Sequence, residues 1–91
     1  MHRIEQKTRK AFEELNKTTH KEYGNRFSIE LMEVKVRNKS SVRVQFLMTD
    51  EETSSGEMIY EDVYMLGKNF MFHRVWNNFN RFVIDCLKRS D

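Results

Sequence analysis

Between Phe72 and Leu87 a set of apolar residues, Phe72, Val75, Trp76, Phe79, Phe82, Val83, Cys86 and Leu87, stands three or four apart or adjacent throughout. At about 100° per residue this is one wide stripe along a helix, and a strand with its two-residue period cannot present it on one face. A helix so apolar on one side is stable only when laid across another layer, which the rest of the chain has to supply. Asn69 precedes the stripe and is of the type that caps a helix start.

The preceding segment reads as that layer. Val42, Val44, Phe46 and Met48 alternate with Arg43, Gln45 and Thr49, the period of a half-buried strand. Upstream, Phe27, Ile29 and Leu31 alternate and then slip by one to Met32, Val34 and Val36, as a bulge produces, giving a strand over about 26–37. Asn38-Lys39-Ser40-Ser41 between the two is turn chemistry. Downstream, Met58 to Leu66 interleaves Ile59, Val63 and Met65 with Tyr60, Asp62 and Tyr64, so this third strand has apolar residues on both faces. There is no proline, and the three glycines, Gly24, Gly56 and Gly67, stand where one pattern gives way to the next and a reversal or positive φ is expected.

Residues 2–22 repeat Ile4, Ala11, Phe12, Leu15 and Thr19 on one side of a first helix, with Glu5, Arg9 and Glu13 at pairing distance on a neighbouring face. The expected fold class is therefore α+β: an αβββα two-layer sandwich in which a three-stranded antiparallel meander packs against two helices. With 91 residues, 38% apolar and 12% aromatic, residues 1–91 are expected to form a single domain. No run approaches the roughly 18 apolar residues that span a bilayer. The expectation is a soluble, cytoplasmic protein without membrane contact. Cys86 is the only cysteine, so neither an internal disulfide nor a zinc cage can form.

The formal net charge of +2 hides segregation. Residues 1–49 carry eleven Lys/Arg against six Asp/Glu, residues 50–65 carry six Asp/Glu and no base, and residues 66–91 carry five against two. On the first helix Arg3, Lys7, Lys10, Lys17 and Lys21 fall within about 40° of one line, interrupted only by Glu14. Their line is centred about 130° from the apolar set and extends about 27 Å, several phosphate spacings of a nucleic acid. Lys39 and Arg43 are candidate extensions of it. The competing reading is an ordinary solvated face with Glu14 paired to Lys10 and Lys17. A weaker basic line on the last helix, Arg74, Arg81 and Lys88, has Asp85 at i,i+4 spacing to Arg81 and Arg89, which accounts for most of its charge.

The acidic set Asp50, Glu51, Glu52, Glu57, Glu61 and Asp62, with Tyr60 and Tyr64, is the candidate for the opposite chemistry, docking of a basic protein in the manner of a nucleic-acid mimic. Its bland reading is a solubilising hairpin tip. The pattern of a calcium loop is absent. If the tyrosines share the uncovered side of the sheet with Arg43 and Gln45, that side becomes an aromatic and basic platform. If they point to the helices, Ile59, Val63 and Met65 face outward. The two apolar faces of the third strand also suggest a cover, by a partner or a second copy of the chain, beside the plain reading in which they are core. His2, His20 and His73 are scattered, and no catalytic or cofactor-binding motif occurs. The chain is expected to be no enzyme, with no cofactor and no metal.

The αβββα order is similar in layout to that of double-stranded RNA-binding domains over about residues 2–89. Only Lys68 stands where those domains place a lysine cluster, before Asn69-Phe70-Met71-Phe72. The leading expectation is a small non-catalytic regulatory module contacting a nucleic-acid backbone through Arg3, Lys7, Lys10, Lys17, Lys21, Lys39 and Arg43. The alternatives are an inhibitor or adaptor that engages a basic partner through the acidic segment, and a self-associating structural subunit.

Overall fold

The computed structural model describes residues 3–90 in the order α1 (Arg3–Tyr23), β1 (Phe27–Asn38), β2 (Ser41–Asp50), β3 (Ser55–Leu66), β4 (Asn69–Met71) and α2 (His73–Arg89). The strands form one antiparallel sheet in the order β1-β2-β3-β4. This is the expected α+β sandwich with one short strand added.

Alternation in β2 sets both faces. Val42, Val44, Phe46, Met48 and Asp50 are buried under the helices, and their partners on β1 are Val36, Val34, Leu31, Ile29 and Phe27. The register shifts between Leu31 and Glu33, so Met32 is the bulge residue that lets Ile29 and Val34 both face inward. On β3 the same rows continue through Val63, Glu61, Ile59, Glu57 and Ser55. The other side of the sheet carries Glu33, Gln45 and Tyr60 in one row and Lys35, Arg43 and Asp62 in the next.

Both helices close the inner side. α2 buries Val75, Phe79, Phe82, Val83 and Cys86, while Phe72, Trp76 and Leu87 lie toward the margins of the stripe. α1 buries Thr8, Phe12, Leu15 and Thr19. The Phe12 ring meets Phe46 at 5.8 Å and Phe72 at 5.4 Å, edge-on to the latter, which ties α1, the sheet and the start of α2 together. The two buried threonine hydroxyls donate to Ile4 and Leu15 carbonyl oxygens, so each is satisfied within its own helix. α1 also shields the free edge of β1: the Ile29 N–H donates to Asn16 Oδ1 at 3.0 Å.

Three local expectations are corrected. Asn69 is not a helix cap but the first residue of β4, because pairing of Leu66 with Asn69 across the Gly67-Lys68 turn extends the sheet; α2 starts at His73 behind Phe72. Gly56 lies inside β3 opposite Thr49, and the positive φ of that hairpin is taken by Ser54, at 57°. Gly24 and Gly67 do adopt positive φ, 69° and 64°. Glu5, Arg9 and Glu13 make no ion pair with one another among the described residues.

Replacing Phe79 by Ala should lower stability by about 3–5 kcal/mol, because the cavity lies where α2 meets the sheet. Ile84→Ala, on the exposed side of the same helix, should change it by only about 0.5 kcal/mol. Urea unfolding of the two variants checks the assignment of the buried stripe.

Candidate functional site

The cations of α1 stand on one outward line. Arg3, Lys7, Lys10, Lys17 and Lys21 are all exposed, and by helix geometry their centre is about 150° from that of the buried Thr8, Phe12, Leu15 and Thr19. The seam beneath them thus turns them to solvent. Lys17 meets Glu14 at 3.3 Å, an exposed pair of small energetic weight. The other four form no ion pair among the described residues. At the helix start, Arg3 and Lys7 line a cleft of about 450 Å³ with Ile4, Met65, Gly67 and, from the β1–β2 turn, Lys39 and Ser40. No carboxylate among the described residues lines it. The turn that brings Lys39 there is held by Asn38, whose Oδ1 accepts from the Ser40 N–H at 2.9 Å.

Arg43 does not join this line. It projects from the side of the sheet opposite to the helices, with its guanidinium 5.6 Å from the Tyr60 ring centre and 3.8 Å from Asp62 Oδ1. That carboxylate oxygen is shielded and has no hydrogen-bond partner among the described residues. The register thus places Tyr60, Tyr64, Arg43 and Gln45 together on the uncovered face, where Met58, Leu66 and Met71 are also exposed.

The acidic segment proves to be neither one surface nor unneutralised. Asp50 is 1% exposed, at the inner end of β2, and cannot dock a partner. Arg26 Nε and Nη2 donate to its two oxygens at 3.0 and 3.2 Å, the Thr53 hydroxyl donates at 2.7 Å, and the Glu52 N–H donates at 3.0 Å. Arg26 also meets Glu52 at 2.8 Å and donates to the Ser90 hydroxyl. The Arg26–Asp50 pair therefore ties the α1–β1 link, the β2–β3 turn and, through Ser90, the end of α2. Glu57 and Glu61 point under the sheet toward α2, 3.7 Å from Arg81 and from Arg74 respectively, and Asn78 Nδ2 donates to Glu61 at 3.1 Å. Arg81 is thus paired with β3 and not with Asp85, as its i,i+4 spacing suggested, and Arg89 makes no ion pair among the described residues. Of the six acids only Glu51 has no cation within ion-pair distance among the described residues.

Arg26 was no sequence candidate, and its only signal was a lone base beside a turn glycine. His20 Nε2 lies 3.2 Å from the Ser28 hydroxyl, His73 opens α2, and His2 lies outside the described residues. Cys86 is buried on the inner stripe, and burial, then the neighbouring Asp50, push its thiol upward.

The hydrogen bonds from Arg26 hold the Asp50 carboxyl well below the usual carboxylate range, against burial that would raise it, with Thr53 and the Glu52 N–H assisting. A carboxyl lowered in the fold stabilises it above its unfolded value near 4 and loses that contribution as pH falls through the lower, folded value. Asp50→Asn should therefore lower stability by about 2–3 kcal/mol at pH 7. The gap from the parent protein should narrow steadily below about pH 4. Urea unfolding across pH 2–7 measures both.

Compared with protein-family models, with curated proteins and with solved structures, the chain finds no match in any of the three.

Proposed function

We propose that the chain is a non-catalytic module that binds the phosphate backbone of a nucleic acid along α1, with Arg3, Lys7 and Lys39 around the cleft at one end and Lys10, Lys17 and Lys21 continuing the track. The observation that carries this reading is the contrast in neutralisation. Among the described residues, Arg26, Arg43, Arg74 and Arg81 are each within 4.0 Å of a carboxylate, whereas four of the five cations aligned on α1, all but Lys17, are not. Flexible, strongly hydrated lysines suit a ligand whose charges repeat along a backbone and need no single geometry. The role is regulatory or accessory, with no chemistry on the bound strand. Docking of a basic partner by the acidic segment is the poorer reading, since those carboxylates are divided between two sides of the sheet and a turn.

Binding of a fluorescent duplex and of a single strand, followed by anisotropy from 50 to 300 mM salt, tests the proposal. Five phosphate contacts give a slope of about −4.5 for log affinity against log salt on a B-form duplex, and about −3.5 on a single strand. Lys7→Glu, Lys10→Glu and Lys17→Glu together should abolish binding while circular dichroism stays unchanged. Glu51→Lys should leave binding intact or strengthen it. A flat salt response, or a triple variant that binds as before, rejects the reading.

A further inference from the structure

Five of the eight large hydrophobic side chains that stand exposed among the described residues lie on the side of the sheet away from the helices. Met58, Tyr60, Tyr64, Leu66 and Met71 stand on it with 40–71% of their areas exposed. Together they leave on the order of 500 Å² of side chain open, near the top of what a monomer ordinarily shows. Its charge is close to balance, with Lys35 and Arg43 against Glu30, Glu33 and Asp62, which disfavours a polyanion as its cover.

The order of these residues points to one occupant. Glu33, Gln45 and Tyr60 form one row across the strands, and Lys35, Arg43 and Asp62 form the row on the other side of Val34, Val44 and Glu61. A two-fold axis laid along that middle row turns a second copy over so that each outer row meets the other. Glu33 then opposes the lysine at 35, Gln45 the guanidinium at 43, and the Tyr60 phenol the carboxylate at 62. One row further out, Met58 meets the aromatic ring at 64. These four oppositions are complementary, as an isologous contact requires, and the others in the outer rows, Glu30 with Asn38 and Leu47 with Ser41, bring no like charges together.

We infer that this sheet face is a self-complementary surface that pairs two copies of the chain, sheet on sheet, about an axis along the Val34–Val44–Glu61 row. A face about 33 Å long and three to four strands wide buries roughly 600–800 Å² per copy in aligned packing, the range of a small stable dimer. The inference does not depend on the α1 ridge, which lies on the helix side of the sheet.

A charge swap tests it. Sedimentation equilibrium of the full chain from about 1 µM to 1 mM should show a dimer. Glu33→Lys and Lys35→Glu should each weaken it at least about tenfold, since like charges then face each other twice across the axis. The double variant, which restores opposite charges, should recover the parent dissociation constant to within about threefold. A monomer at 1 mM overturns the inference, as does failure of the double variant to recover while its circular dichroism is native. A monomer whose single-strand binding is lost on Tyr60→Ala and Tyr64→Ala overturns it in favour of a stacking platform for bases. Survival of the dimer in Lys7→Glu, Lys10→Glu, Lys17→Glu separates its fate from that of the α1 reading.

Discussion

The parity of β2 is the constraint on which the rest of the structure depends. A strand offers two sides, and Val42, Val44, Phe46 and Met48 can be covered only if they share one of them. A slip of one residue would expose all four and bury Arg43. Antiparallel pairing then carries that choice to both neighbours. On β1 it demands the extra residue at Met32, because Leu31 and Val34 cannot both face inward without it. On β3 it sends Ile59 and Val63 to the core, Glu57 and Glu61 toward α2, and Met58, Tyr60 and Tyr64 to the open side.

Charge is sorted by the same geometry. The inward rows of β3 end in carboxylates just where α2 passes, so Arg74 and Arg81 find partners across layers. Arg26 and Asp50 do so at the end of the molecule, where a buried carboxylate takes two guanidinium bonds and two further donors. Arginine, with a planar fork, serves these fixed oppositions, whereas the α1 line, four of whose five cations are lysines, turns away from the sheet. The net charge of +2 therefore says little about the surface, since five of the fourteen carboxylates already face an arginine within 4.0 Å.

The class of fold and most of its elements are legible in the sequence because period and burial coincide in them. The α2 stripe, the β2 alternation and the slip at Met32 each state a face unambiguously. β3 does not, since apolar residues occur on both its sides and the register that decides between them belongs to β2. β4 is invisible for a related reason: Asn69-Phe70-Met71 is too short for a period, and only pairing with Leu66, Met65 and Tyr64 makes it a strand. At the candidate site the α1 line is legible because helix spacing alone places it. The grouping of Lys39 with Arg3 and Lys7, and the separation of Arg43 from them, depend on which side of the sheet each element occupies. Asp50 misleads for the same reason, as a carboxylate beside a turn reads as exposed until its inward parity is known.

The two surfaces that remain differ in kind. The α1 line is a net excess of one sign, so its field reaches about a Debye length, roughly 8 Å at physiological salt, and is weakened as salt is added. The open sheet face has charges of both signs only a residue apart, so its field cancels within a few ångströms and contact there depends on apolar area and matched pairs. Added salt therefore acts strongly on the first and weakly on the second. The sheet stands between them, so the proposed ligand on α1 and the proposed second copy on the sheet face would not compete for the same side chains.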